Sequence, residues 1–147
     1  MQMYLKFRCE MNHLRIICVL LPFLLSAVTV CGQTNRYKGT MTVGNYVREN
    51  TVVEVRENGN RAEGTIFQAK FSRLMPVTVD VNVGPVQRRS ANGVVTLTGK
   101  RIIPTVKGEP YEKYLMKSFD GVIENGQFEF STFFGDKPMH FKGKVVR

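Results

Sequence analysis

Few side chains past residue 32 of this 147-residue chain could do chemistry, and their spacing argues against most reactions. His140 is the single imidazole in that stretch, which holds no cysteine. A metal centre needs His, Cys, Asp or Glu clustered at ligand spacing. His140 instead shares one face of a strand pattern with Lys142, a cation that repels a metal, and it reads as an exposed histidine. Nucleophilic catalysis needs a base beside a hydroxyl or thiol. Ser72, Ser90, Ser118 and Ser131 have no Gly-x-Ser-x-Gly context, and His140 is the only base on offer. Glu124 and Glu129 flank Asn125-Gly126 and could do acid–base work on a sugar, although carboxylates beside a hairpin turn are ordinary surface groups. Gly93 to Lys100 resembles a phosphate loop only superficially. It has five residues between its glycines where four are needed, and Arg101 where Ser or Thr should hold magnesium. No cofactor is expected, and an enzyme is the least favoured class.

Two groups of residues remain as leads. The basic ones are Arg88-Arg89 and the pair Lys142 and Lys144, which share a strand face and with Lys137 and Arg147 would make a positive stripe. Such a stripe would attract an anionic envelope component, although the favoured reading is a solvated face that keeps a protein soluble. Nucleic acid is not expected as a partner, because no stacking platform accompanies the charge. The aromatic lead is Phe67 and Phe71 on one strand face, with Phe128, Phe130, Phe134 and Phe141 along the last hairpin. In a barrel these rings point inward, where they either fill the interior or line a cavity for a small apolar ligand.

The elements that must position these residues begin after a leader. Lys6, Arg8 and Arg15 precede an apolar run from Ile16 to Val30, short for a membrane span and right for a secretory signal. Met11 offers an alternative start that would give the leader an ordinary length. Two processing sites are open. Gly32 supplies the small residue that favours cleavage before Gln33, giving residues 1–32 as signal and 33–147 as the domain. Alternatively Cys31 is acylated as a lipoprotein cysteine, and membrane association is expected only in that case. Cys9, Cys18 and Cys31 all fall in the leader, so the exported domain stands on its core without disulfides. Setting the leader aside leaves 18 basic against 11 acidic residues, a net charge of +7. A periplasmic or extracellular location is expected, or the outer membrane if Cys31 is lipidated.

From Arg36 onward the pattern has period two, as in half-buried strands. Val77, Val79, Val81 and Val83 alternate with Thr78, Asp80 and Asn82. Phe128, Phe130, Thr132 and Phe134 oppose Gln127, Glu129 and Ser131, and Met139, Phe141, Gly143 and Val145 oppose His140, Lys142 and Lys144. Asn58-Gly59, Asn92-Gly93 and Asn125-Gly126 supply tight hairpin turns. The pattern predicts strands near 36–43, 51–57, 61–71, 76–83, 93–99, 100–106, 113–123, 127–134 and 138–146. Loops over 84–90 and 107–112 are the expected places for a functional surface. A meander of about eight such strands hides its edges by closing into a single antiparallel up-and-down barrel, although a sandwich would bury the same faces. The alternate faces carry Lys, Asp, Asn and Glu, unlike the apolar belt of a membrane-spanning barrel.

Three segments carry a resemblance: Tyr37-Lys-Gly-Thr-Met-Thr-Val43, Pro76-Val-Thr-Val-Asp-Val81 and Phe141-Lys-Gly-Lys-Val-Val146. From about Tyr37 to Val146 the chain resembles the calycin-like β-barrel domain of exported Bacteroidetes proteins. The resemblance implies a lipocalin-like barrel in the bacterial envelope and brings no activity or site residues with it. The Gly-x-Trp motif of true lipocalins has only Gly44-Asn45-Tyr46 as a counterpart here, since the chain has no Trp. The expected function is therefore a non-catalytic binding module for a small apolar or amphipathic ligand. The alternatives are a solid-core scaffold for a surface partner and, last, a carbohydrate-active enzyme.

Overall fold

The computed structural model describes residues 32–147. The expected leader, with Met11 and all three cysteines, lies outside the described residues except for Gly32. Eight long antiparallel strands follow one another: β1 (Gln33–Val43), β2 (Tyr46–Asn58), β3 (Arg61–Ala69), β4 (Val79–Ala91) and β5 (Val94–Ile102), then β8 (Met116–Glu124), β9 (Gln127–Phe134) and β10 (Lys137–Val146). Between β5 and β8 the chain makes a two-rung hairpin of β6 (Thr105–Val106) and β7 (Glu109–Pro110), then one 3-10 turn at Glu112–Tyr114. Each long strand pairs with the next, β5 pairs with β8, and β1 pairs with β10 through Tyr37 opposite Val145. The sheet is one closed barrel rather than two packed sheets, which leaves none of the eight strands with an open edge.

Tight turns fix one end of this barrel. Asn92-Gly93 (φ 53° and 79°) and Asn125-Gly126 (φ 51° and 73°) supply the paired positive angles that match strand twist. The third turn lies one residue later than the sequence suggests. Asn58 ends β2, and Gly59-Asn60 turn the chain with positive φ at Gly59 alone. The opposite end, called the mouth below, is built from Gly44-Asn45, residues 70–78, residues 103–115 and Gly135-Asp136.

Alternation sends one set of side chains inward along every strand. Met41, Val53, Val55, Ile66, Val81, Leu97, Phe128 and Phe141 are each at most 2 % exposed. Lys38, Arg56, Asp120 and Lys142 face out. Where β1 meets β10, Gly39 lies opposite Gly143. A Cβ on Gly39 would collide with the backbone of Lys142 and Gly143, so only glycine lets these strands approach so closely.

Bulges account for most departures from the expected strands. In β3 the register shifts between Ile66 and Ala69, with Gln68 at φ 47°. Ala62 and Ile66 point inward before the bulge and Ala69 after it, so even and odd positions exchange faces. In β4 the register shifts again beside Gly84-Pro85, a cis peptide. Residues 84–90, expected as a loop, are the lower half of β4, and that inward face runs Val81, Val83, Val86, Arg88. Val77, expected inward, lies in the preceding loop and is 61 % exposed. The expected strand at 93–99 and the start of that at 100–106 are one strand, β5, in constant register with β8 although Arg101 has φ 53°, and Thr105–Val106 is the separate β6.

Candidate functional site

The barrel's middle is filled by rings. Phe128 lies between Tyr37 (5.2 Å between ring centres), Phe130 (5.4 Å) and Phe141 (5.9 Å), and Phe119 packs on Phe130 at 5.1 Å. β8 makes room with Gly121, where an added Cβ would sit 3.2 Å from Phe128. The remaining void, lined by Val55, Ile66, Leu97, Phe128 and Phe130, is about 20 Å³, space for roughly one water. The interior is therefore plugged, and Phe128, Phe130 and Phe141 are the plug.

The lower end is closed by charge. Glu57, the last inward residue of β2, is 7 % exposed and accepts a 2.5 Å hydrogen bond from Arg88 Nε. Arg88 Nη1 also donates to the carbonyl of Gly59 at 3.3 Å. The Tyr37 phenol nearby titrates above its ordinary value, first because it is desolvated and second because the Glu57 charge opposes its ionisation. Arg88 is thus no part of a surface patch. The bulge at Gly84-Pro85 turns it inward, and only Arg89 of that pair faces solvent.

The mouth is open. It holds a cavity of about 550 Å³ above the plug, within the range of small-molecule sites. Val43, Val79, Val81 and Val106 line it beside a run of aromatic rings. Phe134, at the end of β9, stacks on Phe71 (4.2 Å, 27°) and on Tyr114 (4.5 Å, 10°), and Tyr111 continues the run 6.2 Å beyond Tyr114. Backbone hydrogen bonds hold the two tyrosines in place. The Tyr111 N–H donates to the Pro104 carbonyl at 2.9 Å, and the Tyr114 N–H donates to the Tyr111 carbonyl at 3.0 Å. Lys113, Asp136 and Lys137 also line the cavity, and Lys113 Nζ lies 5.9 Å above the Tyr114 ring. The site can take a flat apolar group against the rings and an acidic group beside two ammonium ions.

The six expected ligand-lining phenylalanines therefore separate. Phe71 and Phe134 line the mouth, and Phe128, Phe130 and Phe141 fill the core below it. Phe67 sits on the outer wall, where the Arg36 guanidinium stacks 5.3 Å above its ring. Phe67 and Phe71 do not share a face because the β3 bulge lies between them. Sequence reasoning named none of Tyr111, Lys113 and Tyr114, although Tyr111 falls in loop 107–112, one of the two expected to carry function. Pro104, Gly108 and Pro110 obscure strand periodicity there, and the one available signal was two tyrosines three residues apart beside a proline.

On the outer wall, Lys142 and Lys144 are exposed as expected. Lys142 is shared with Glu129 (3.6 Å), and Lys38 lies opposite Lys144. Glu129 also approaches His140 Nε2 at 3.3 Å, and Ser131 Oγ lies 3.1 Å from His140 Nδ1. This row has the order of nucleophile, base and orienting acid. It arises from strand pairing, with Ser131 directly opposite His140 and Glu129 opposite Lys142. The His140 and Glu129 side chains are 44 % and 48 % exposed, so water competes for each contact. Glu124 pairs with Gln127 and Glu129 with Val122, so the two carboxylates do not face each other across the turn. Among the described residues, no three His, Cys, Asp or Glu side chains converge as a metal site. Comparisons with family models, with curated proteins and with solved structures find no match.

Proposed function

We propose that this protein is an exported, non-catalytic binding module that holds a small amphipathic anion in the mouth of its barrel. The observation that carries the reading is the mouth cavity itself: about 550 Å³, walled by stacked rings, flanked by Lys113 and Lys137, above an interior with no comparable space. The secretory leader, and the resemblance to calycin-like domains of exported proteins, support an envelope location. Rings and ammonium groups recognise a ligand without providing a step of bond-making, and this favours binding over turnover.

Titration with the anionic dye anilinonaphthalene sulfonate tests the reading. One saturable site with enhanced fluorescence is expected. Tyr111→Ala should weaken it about tenfold, since an aromatic contact is worth about 1 kcal/mol beyond the area it buries. No saturable binding, or affinity unchanged in both Tyr111→Ala and Tyr114→Ala, would overturn it. Turnover of an activated ester that Ser131→Ala abolishes would overturn the non-catalytic part.

A further inference from the structure

Leu74 is 94 % exposed, an arrangement that water disfavours. It is not alone at its end of the barrel. Of nine large apolar residues exposed among the described ones, six (Val47, Leu74, Val77, Ile103, Tyr111 and Phe133) lie in the mouth loops or at the adjoining strand ends. The turns at the lower end are Gly and Asn. Residues 70–78 join β3 to β4 at this end. Phe71 anchors this segment by stacking on Phe134, and the Met75 N–H donates to the Ser72 carbonyl at 3.3 Å, closing a turn with Arg73 and Leu74 at its tip. Lys70 and Arg73 are the charged residues of this segment, and it contains no acid. Around the rest of the mouth, Lys107, Lys113 and Lys137 balance Glu109, Glu112 and Asp136 in number, so the surplus positive charge of the rim is that of Lys70 and Arg73.

An apolar tip flanked by two cations has a defined complement. We propose that the mouth docks on a lipid surface carrying anionic headgroups, with Leu74 entering the headgroup layer and Lys70 and Arg73 pairing with headgroup charge. Apolar insertion and attraction to anionic lipid add in such contacts, and each cation near the surface contributes. A protein partner would have to match an apolar knob together with the two cations beside it, whereas a fluid bilayer accommodates both at once. The docked mouth opens onto the lipid, where an amphipathic anion resides, so the cavity and the rim serve one path. This goes beyond an anchor at Cys31 and rests on the mouth reading above only for that shared path.

Vesicle flotation tests the docking, using residues 32–147, which by themselves close the barrel and its core. The probes are vesicles of phosphatidylcholine alone and of phosphatidylcholine with phosphatidylglycerol. Flotation is expected with the anionic vesicles only, and added salt should weaken it. Leu74→Asp and the double change Lys70→Glu with Arg73→Glu should each reduce it by at least about tenfold. Leu74 and Arg73 occupy an exposed turn, so thermal unfolding of these variants should match the parent, and that comparison excludes misfolding. No flotation, equal flotation with neutral vesicles, or flotation unchanged in both variants would overturn the proposal. So would a stoichiometric protein complex that the same variants abolish in the absence of flotation. Dye binding measured without vesicles separates the two readings. In the parent protein, saturable dye binding without flotation sinks the docking alone, and flotation without saturable dye binding sinks the cavity reading alone.

Discussion

Replacing Phe128 by alanine probes whether the barrel is plugged, which in turn confines any ligand to the mouth. The Phe128 ring is 1 % exposed and touches three other rings, Tyr37, Phe130 and Phe141, at centroid distances of 5.2 to 5.9 Å. Truncating a buried Phe costs about 3–5 kcal/mol, and the value rises with the volume the surroundings fail to reclaim. Here the surroundings reclaim little, because the ring sits inside a closed wall of strands hydrogen-bonded on both sides. The void of about 20 Å³ beside it would merge with the new space. We expect a loss near the upper limit, about 4–5 kcal/mol, and a melting temperature lower by roughly 15–20 °C in a domain of this size. The new cavity, of the order of 100 Å³ and apolar, should stay dry and admit benzene. Circular dichroism melts with and without benzene provide the assay. Benzene should raise the melting temperature of Phe128→Ala and leave the parent unchanged, while dye affinity at the mouth stays the same. A loss below about 2 kcal/mol with no benzene effect would refute the plug, and so would dye affinity that changes in step with the core.

Two shorter predictions concern the lower end. Arg88→Ala should cost about 2–4 kcal/mol in urea unfolding, because it leaves the Glu57 carboxylate buried and unpaired, whereas Arg89→Ala should stay within about 0.5 kcal/mol. Equal effects from the two would show that the ion pair does not close this end. Tyr37 keeps its proton longer when folded than when unfolded, so its contribution to stability is complete below about pH 10 and declines as pH rises from there towards the folded value. Urea midpoints on the alkaline side should therefore fall with pH in the parent and fall less in Tyr37→Phe. The same slope in both would assign the alkaline loss to other groups.

Much of the architecture was legible in the residues because burial on a pleated strand writes itself as period two. The inward sets Phe128, Phe130, Thr132, Phe134 and Met139, Phe141, Gly143 are as the alternation implies, and two of three Asn-Gly pairs turn where expected. Closure followed from the count of strands and the need to hide edges. The sequence by itself therefore determined an all-β meander with one apolar face. It could not reveal the bulges, since an extra residue in a strand has no composition of its own and is stabilised by pairing with a distant partner. One bulge at Gln68 placed Phe71 on the opposite face from Phe67, at the mouth. Another beside Gly84-Pro85 turned Arg88 from an imagined surface patch into the seal on Glu57. Tertiary structure alone decided that the rings fill the barrel, because packing is a matter of volume inside a wall whose diameter no single strand specifies. It also alone decided that Phe71, Phe134, Tyr111 and Tyr114 meet, since four rings from three separate segments stack only once the barrel has closed beneath them.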